Sequence, residues 1–393
     1  MKKSAKKQNR PRTLCVFSGK RGGLGAYVKL MRLIEDDSEL RLQILLSDMH
    51  ASATFGRTAD EARKLFPKAR IEVLDMGTGV CDEPAARAEN LGKCLSLAAR
   101  ALERLAPDIV IVHADRAEHL MVALAAIAQN IPVAHTQGGE ISGNIDDTQR
   151  HAISKLAHIH FPETRKAAKI LRALGEEPWR IHETGSVYVD RIVAKNYRDP
   201  RDACRKYRMP ETGSFAIVIY HPETLKSREE NYRDMRLILD ELEYARLPAI
   251  IMYPCSDPGY DGIIRAIEEK KGSPLLHVHK NIEAFDFHGL LANASFIVGN
   301  SSSALVEAPY FKLPAINIGI RQIGRTRNIN VLDITAGKKA IRAAINKCIN
   351  DGAFRERIAR ARPHLGDGHA SEKIIQILKK LSLDERLLEK KVA

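Results

Sequence analysis

IVIVHADRAEHLMVALAAIAQNIPVAHT, residues 109–136, is the stretch that decides the fold of this 393-residue chain. It holds two short apolar runs, IVIVHAD (109–115) and IPVAHT (131–136), separated by a segment of helical period at 118–129. Continuous apolar strands joined by a helix are typical of a parallel sheet that helices cover on both faces. The stretch therefore predicts a strand–helix–strand unit of an α/β protein.

Apolar runs of the same kind recur in two series along the chain. The first series also contains TLCVFSG (13–19), LQILLSD (42–48) and IEVLDMG (71–77). The second series contains FAIVIYH (215–221), PAIIMY (248–253), PLLHVH (274–279), SFIVGN (295–300) and PAINIG (314–319). Helical segments lie between the runs, so we expect two α/β halves.

The boundary between the halves is predicted at a polar, proline-containing seam over residues 190–212. We therefore expect one domain over residues 12–195 and a second over residues 205–365. The segment Ser371–Lys391 has the period of one amphipathic helix. We expect residues 366–393 to form a C-terminal helix that packs back on the first domain.

The formal net charge of +13 is concentrated at the N-terminus. The first twelve residues hold six lysines and arginines and no acid, and we expect residues 1–11 to form a disordered basic tail. The rest of the chain carries the remaining +7, which is consistent with a mildly basic surface or with an anionic ligand such as a nucleotide. The fractions of hydrophobic residues, 44%, and of charged residues, 28%, are those of a globular protein.

Several function classes are disfavoured by missing motifs. No apolar run approaches the ~18 residues of a membrane span, and the N-terminus lacks a secretory signal, so we expect a cytoplasmic protein with no membrane partner. Zinc-finger spacing and RNA-binding aromatic motifs are absent, so we expect no nucleic-acid partner. The six cysteines include no CxxC pair, so we expect neither a disulfide nor a structural metal.

Polar and ionisable residues gather where the predicted strands end. In open parallel sheets, ligands bind beyond the carboxyl ends of the strands. The residues at these positions are His113–Arg116, His135–Glu140, Tyr220–Glu223, Gly299–Ser303 and Gly319–Arg325. Any one group could be a cap or a turn, but together they predict a ligand cleft between the domains.

Three polar segments contribute to that prediction. HTQGGEISGNIDDTQRH (135–151) holds three carboxylates, and clustered carboxylates raise one another's pKa, which suits proton transfer. GNSSSALVEA (299–308) either caps a helix or binds a diphosphate through hydroxyl and N–H groups. The glycine-rich turn GKRGGLG (19–25) is either a tight turn or a phosphate loop.

The blocks HTQGGEISGNIDDTQRHAISKLAHIHF (135–161), GNSSSALVEAP (299–309) and INIGIRQIGRTRNINVLDI (316–334) resemble those of the hydrolysing UDP-N-acetylglucosamine 2-epimerases. The resemblance extends over about residues 12–350. It implies two Rossmann-like domains that face a central cleft, as in B-type glycosyltransferases, with a nucleotide-sugar between them. It also implies a homodimer or homotetramer, and neither a nicotinamide cofactor nor a catalytic metal.

The reaction implied by the resemblance is the conversion of UDP-GlcNAc and water to ManNAc and UDP, as in sialic acid biosynthesis. A base removes the C2 proton while UDP leaves from C1, which gives 2-acetamidoglucal. Water then adds with the opposite configuration at C2. Such chemistry needs proton-transfer groups and cations around the departing diphosphate.

Site residues carry over from the resemblance by position. Asp115 and Asp146 are implied as the acid/base carboxylates, and Arg150 lies one helical turn after Asp146. The other residues implied in catalysis are Gln137, Glu140 and His221. The residues implied in substrate or nucleotide binding are Arg21, His50, Gly138, Gly139, Asn300, Ser301, Ser302, Ser303, Glu307 and Arg321.

The substrate remains open at this stage because of Gln137. Many family members carry glutamate there, whereas some that act on diacetamido-trideoxy sugars also read HxQGGE. The alternatives are the same reaction on UDP-2,4-diacetamido-2,4,6-trideoxyglucose or on GDP-GlcNAc, and an inactive homologue that only binds a nucleotide-sugar. A non-hydrolysing epimerase and a glycosyltransferase are disfavoured by the GGE and IDD sequences.

Overall fold

The β-strands of the chain lie in two six-stranded parallel sheets in the computed structural model, which describes residues 10–79, 81–142 and 145–391. The strands are β1 (Arg12–Ser18), β2 (Leu40–Ser47), β3 (Arg70–Leu74), β4 (Ile109–His113), β5 (Val133–Thr136), β6 (Ile159–Phe161), β7 (Ala216–Ile219), β8 (Ala249–Met252), β9 (Leu276–His279), β10 (Phe296–Gly299), β11 (Ala315–Ile318) and β12 (Val331–Ile334).

Helices connect successive strands and cover the sheets. They are α1 (Arg21–Asp36), α2 (Ala59–Leu65), α3 (Pro84–Leu105), α4 (Ala117–Ile127), α5 (Ile145–Leu156), α6 (Arg165–Ala173), α7 (Asp190–Val193), α8 (Pro200–Lys206), α9 (Arg228–Tyr244), α10 (Tyr260–Glu268), α11 (Ala284–Leu291), α12 (Ser303–Val306), α13 (Lys338–Asn350), α14 (Gly352–Ala359), α15 (Ala370–Lys380) and α16 (Glu385–Leu388).

Both sheets have the same winding. The strand order is β3-β2-β1-β4-β5-β6 in the first sheet and β12-β11-β10-β7-β8-β9 in the second. In each sheet the chain starts in the middle, moves to one edge, crosses back and continues to the other edge, which is the Rossmann order. The prediction of two Rossmann-like domains in a B-type glycosyltransferase fold is therefore confirmed, and the topological switch points lie beside β1 and β7.

Several predicted elements differ from the structure. The short strands β6 and β12 were not predicted. The helical segment expected between β10 and β11 ends at Val306, and a 3₁₀ turn containing Pro309 follows, because proline cannot donate the hydrogen bond that would continue an α-helix. The single helix predicted over 371–391 is two helices, and Asp384 caps the second by accepting the N–H of Leu387 at 3.0 Å.

The C-terminal segment contacts the first domain. Ile374 and Leu378 of α15 are buried in one apolar cluster with Tyr27 and Leu30 of α1. Arg12 at the start of β1 also donates to the carbonyl of Leu378. Of the predicted basic tail, residues 1–9 lie outside the described residues, and Arg10 donates to Asp108 at 2.8 Å.

Arg116 at the end of β4 joins the two domains through a buried ion network. Its Nε donates to Glu118 at 2.9 Å and its Nη2 to Asp48 at 2.8 Å, both in the first domain. From the second domain it contacts Ser256 at 3.0 Å and the carboxylate of Asp257. Because all these groups are largely buried, each charge depends on its partner for stability.

Ile374→Ala is expected to destabilise the first domain by about 2–4 kcal/mol, because it leaves a cavity at a position that is 1% exposed. The single tryptophan, Trp179, packs against the same apolar cluster, so its fluorescence during urea unfolding reports on this domain. The matched control is Leu383→Ala, at a residue 41% exposed between α15 and α16. Equal urea midpoints for Ile374→Ala and the wild type would contradict the packing of residues 366–393 on the first domain.

Candidate active site

A cleft of about 950 Å³, including its open mouth, lies between the carboxyl ends of the two sheets. Of the predicted site residues, those that line it are Arg21, His221, Ser301, Ser302, Ser303, Glu307 and Arg321. Further lining residues include Lys20, Met49, Arg116, Tyr188, Tyr253, Cys255, Phe287 and His288. Both domains therefore contribute cations to the cleft, namely Lys20, Arg21 and Arg116 from the first domain and Arg321 from the second. We call these four residues the cationic wall.

Arg21 at the start of α1 reaches across the cleft. Its Nη2 donates to the carbonyl oxygens of Tyr253 at 2.9 Å and Pro254 at 3.2 Å, at the end of β8. Its Nη1 is buried and has no hydrogen-bond partner among the described residues. Burial lowers the pKa of Arg21 to about 10, so the group stays charged at neutral pH. Arg21 thus offers one donor to a ligand in the cleft.

His221 at the end of β7 is held as a neutral donor. Its Nδ1 accepts the N–H of Cys255 at 3.0 Å, which places the proton of a neutral ring on Nε2. Burial, then the charge of Arg321, hold the pKa of His221 well below its usual range. Asn300 fixes the backbone: its Oδ1 accepts the His221 N–H at 2.7 Å and its Nδ2 donates to the His221 carbonyl at 2.8 Å. Asn300 thus orients His221.

Ser301 and Ser302 precede α12, a helix of four residues. The N-cap residue, Ser302, makes no side-chain capping hydrogen bond, whereas Ser301 Oγ accepts the N–H of Ser303 at 3.4 Å. The Ser302 hydroxyl therefore remains available to a ligand in the cleft. Glu307, at the end of this helix, pairs with His288 at 2.8 Å, and both side chains line the same cleft.

Asp115 is held in its ionised form. The fully buried guanidinium of Arg150 donates to its Oδ2, and Arg325 lies 3.4 Å from the same oxygen. Burial alone would raise the pKa of Asp115, but the positive charges of Arg150, Lys20 and Arg325 lower it well below the usual range. Arg150, which the sequence placed beside Asp146, thus forms an ion pair with Asp115.

Asp146 lies in the first turn of α5 in the opposite kind of environment. Burial, then the negative charge of Asp115, raise its pKa above the usual value. Arg321 Nη2 is 3.7 Å from Asp146 and 3.7 Å from Asp257. Arg321 also lines the main cleft, so Asp146 is connected to that cleft through Arg321. Two neighbouring carboxylates with opposite pKa shifts are a common arrangement for acid/base chemistry.

Several predicted residues have partners that differ from the predicted ones. His50 is fully buried between Ser18 and Thr58, at 3.0 Å and 2.7 Å from its two ring nitrogens. Gly139 has φ +80°, and a Cβ there would lie 2.3 Å from the carbonyl oxygen of Ala167. The absence of a side chain at Gly139 therefore lets the loop after β5 pack against α6.

The remaining predicted residues surround the loop after β5. A Cβ on Gly138 would lie 2.9 Å from His135 Nδ1. Gln137 donates from Nε2 to Glu163 at 3.0 Å, and Glu140 accepts from Thr164 at 3.0 Å. Arg150 connects this loop to Asp115, because it donates to the carbonyl of Gln137 at 3.2 Å as well as to Asp115.

The sequence analysis did not name Lys20, Arg116, Glu163, Asp257 and Arg325 as site residues, although Arg116 and Arg325 belong to its strand-end groups and Lys20 to its glycine-rich turn. Asp257 follows β8 and Glu163 follows β6, so the rule that selected the other strand ends applies to both. The three-residue β6 is too short to have a periodic pattern, and the PCSDPG segment (254–259) has the composition of an ordinary turn.

The described residues contain no group of three or more His, Cys, Asp or Glu side chains that could hold a metal ion. Within the same residues, none of the helices combines the length and the apolar character that crossing a membrane requires.

Comparisons with known proteins identify relatives along most of the chain. A Legionella pneumophila protein named UDP-N,N'-diacetylbacillosamine 2-epimerase (hydrolyzing) is 30% identical over 380 residues, which are 96% of this chain and 98% of the relative. A Campylobacter jejuni protein named GDP/UDP-N,N'-diacetylbacillosamine 2-epimerase (hydrolyzing) is 31% identical over 82% of this chain and 84% of the relative.

The fold also matches solved structures. The UDP-GlcNAc 2-epimerase from Neisseria meningitidis, solved with UDP-GlcNAc bound, superposes with a TM-score of 0.77 at 18% identity and covers 94% of this chain and 100% of that one. The family described as UDP-N-acetylglucosamine 2-epimerase matches residues 32–379. The chain therefore belongs to the UDP-N-acetylglucosamine 2-epimerase family.

Proposed function

We propose that this protein is a hydrolysing 2-epimerase that converts a UDP-linked 2-acetamido sugar and water to UDP and the free sugar epimerised at C2. The observation that carries the proposal is the pair Asp115 and Asp146, which have opposite pKa shifts beside Arg321 on the cationic wall of the cleft. The names of the two relatives that are 30% and 31% identical, both of which specify hydrolysis, support the hydrolysing reaction.

The substrate favoured by these relatives is UDP-N,N'-diacetylbacillosamine, a 2,4-diacetamido-2,4,6-trideoxy sugar. Gln137 supports the same choice through the HxQGGE sequence. UDP-GlcNAc, with ManNAc as product, is the second candidate. It is supported by a 29% identical relative from Neisseria meningitidis named UDP-N-acetylglucosamine 2-epimerase.

The nucleotide end of the substrate fits the cationic wall of the cleft. Arg21 Nη1, the His221 Nε2–H and the guanidinium of Arg321 are donors suited to a diphosphate. The hydroxyls of Ser301–Ser303 add neutral donors beside them. Glu307 is a carboxylate suited to the hydroxyls of a ribose, and His288 holds it in place.

The proposed chemistry begins with removal of the C2 proton by Asp146. The C2–H electrons form the C1=C2 bond, and the C1–O bond breaks as UDP leaves with both of its electrons. The cations that bind the diphosphate stabilise the negative charge on this leaving group. Asp115, ionised beside Arg150, orients the sugar and the water that then adds its hydroxyl to C1. A proton returned to the opposite face of C2 completes the epimerisation.

Proton NMR in D₂O is the direct test of the reaction. The protein is offered UDP-N,N'-diacetylbacillosamine and, separately, UDP-GlcNAc. We expect release of UDP together with a free sugar that is inverted and deuterated at C2, because the proton is removed and replaced from solvent. The faster donor identifies the substrate. Binding without release of UDP from either donor would contradict the proposal and favour an inactive homologue.

Asp146→Asn is expected to lower turnover by at least ~100-fold, because an amide cannot take the C2 proton. The Kd for UDP, measured by calorimetry, should change much less. The matched control is Asp60→Asn on α2, whose carboxylate is exposed and far in sequence from the cleft residues. Near-normal turnover of Asp146→Asn would exclude Asp146 as the base.

Arg321→Ala is expected to raise the Kd for UDP by about 10- to 100-fold, because it removes a charged donor from the diphosphate site. Calorimetry with UDP measures the effect, and Arg233→Ala on the exposed face of α9 is the control for loss of one positive charge. If Arg321→Ala binds UDP with unchanged affinity, Arg321 does not contact the diphosphate.

A further inference from the structure

Glu163 is a buried carboxyl group that the chemistry above does not use. It follows β6, is 5% exposed, and accepts a hydrogen bond from Gln137 Nε2 at 3.0 Å. The Ser186 hydroxyl is its other hydrogen-bonding partner. Asp115, by contrast, is paired with the cation Arg150. A buried carboxylate whose hydrogen bonds come from an amide and a hydroxyl is costly to keep ionised.

The groups around Glu163 favour its protonated form. Glu140, Arg325 and His364 line a small cavity together with Glu163. The phenols of three tyrosines lie within electrostatic range of it, namely Tyr27, Tyr188 and Tyr310. Burial, then the negative charge of Glu140, raise the pKa of Glu163 to about 7, against a lowering by the two hydrogen bonds and Arg325. The carboxyl can therefore gain or lose a proton near neutral pH.

Gln137 is fixed everywhere except in the orientation of its amide. Its backbone has φ +62°, its N–H donates to the Phe161 carbonyl at 3.1 Å, and its carbonyl accepts from Arg150 at 3.2 Å. The side-chain Nε2 is bound to Glu163, and Oε1 receives no hydrogen bond from the described residues. Arg150 donates both to the backbone carbonyl of Gln137 and to Asp115, so it connects Gln137 to a carboxylate of the proposed reaction.

We propose, on the basis of the function proposed above, that Glu163 is a positioning residue that determines which end of the Gln137 amide is left free in the loop that Arg150 joins to Asp115. When Glu163 is ionised it accepts Nε2–H, and Gln137 Oε1 remains available as an acceptor. When Glu163 is protonated its O–H donates to Oε1, and Nε2–H is offered as a donor. One proton on Glu163 thus decides whether Gln137 presents an acceptor or a donor, which a glutamine without an ionisable partner cannot do.

The first test observes the amide itself and needs no turnover. Protein labelled with ¹⁵N in the glutamine side chains is titrated from about pH 5 to about pH 9, and the Gln137 signal is assigned by its loss in Gln137→Met. We expect the Gln137 NH₂ resonance to move with a midpoint near that of Glu163, and to stay fixed in Glu163→Gln. A resonance that does not titrate, or that titrates equally in Glu163→Gln, would overturn the proposal.

The second test follows turnover of the faster donor against pH. Glu163→Gln can still hydrogen-bond to Gln137, so a purely structural role predicts an unchanged profile. We expect kcat to fall by about 10- to 100-fold with KM changed less than about twofold, and the ionisation near neutral pH to disappear from the kcat profile. An unchanged kcat profile would contradict the positioning role.

The exchanged pair, Gln137→Glu with Glu163→Gln, keeps one amide and one carboxyl in contact. We expect it to exceed each single variant in kcat by about tenfold, because each single variant loses the pairing of one amide with one carboxyl. No gain over the single variants would count against the proposal. The control for neutralising a buried acid is Glu241→Gln on α9, whose partner is Arg342.

The two levels of proposal fail separately. If the wild type releases no UDP from either donor, the proposed function fails, while the titration of the Gln137 amide still decides the role of Glu163. If the wild type turns over and the Gln137 amide does not respond to Glu163, only the positioning role is wrong.

Discussion

The arrangement of the two domains depends on the buried guanidinium of Arg116. It binds Asp48 and Glu118 of the first domain and Asp257 of the second, and all four charged side chains are largely buried from water. Removing one partner from such a network typically costs about 3–5 kcal/mol, because the remaining charge stays buried. The relative position of the two sheets is therefore constrained by charge pairing as well as by packing. Asp257 also lies 3.7 Å from Arg321, so the same network positions the cation that is proposed to bind the diphosphate.

Asp115 and Asp146 have different roles in the proposed reaction because their surroundings differ, although both are aspartates. Four cations lower the pKa of Asp115, whereas burial and the charge of Asp115 itself raise that of Asp146. Because Asp115 stays ionised, its negative charge keeps the pKa of Asp146 raised, which makes Asp146 the stronger base. The HTQGGEISGNIDDTQRH segment carries few apolar residues because its side chains supply this charge balance: Arg150 compensates Asp115, and Asp146 faces Arg321.

The fold was predictable from the sequence to a large extent, because continuous apolar runs between helical segments fix parallel strands in both halves. Strand β6 has only three residues, and β12 is a partly exposed edge strand that contains Asp333, so neither has a continuous apolar run. For the site, the strand-end rule located His221 and Arg321, and the glycine-rich turn located Arg21. It did not reveal that Arg150 pairs with Asp115 across 35 positions, or that Glu163 contacts Gln137, because such contacts arise only when β4, β5 and β6 lie side by side. The reason for Gly139 was also hidden, since its neighbour is the backbone of α6.

In the proposed reaction, binding and chemistry are coupled through Arg321. In the structure this guanidinium is shared between Asp146 and Asp257, so its positive charge lowers the pKa of Asp146. A diphosphate that binds Arg321 brings negative charge to the same place and competes for the same N–H groups. The pKa of Asp146 then rises, and the carboxylate becomes a stronger base at the moment when a substrate with a C2 proton is in position. When UDP departs, this effect is reversed. In the proposed enzyme, Asp146 is therefore most basic when a nucleotide-sugar is bound, because one cation, Arg321, lies between the leaving group and the proton acceptor.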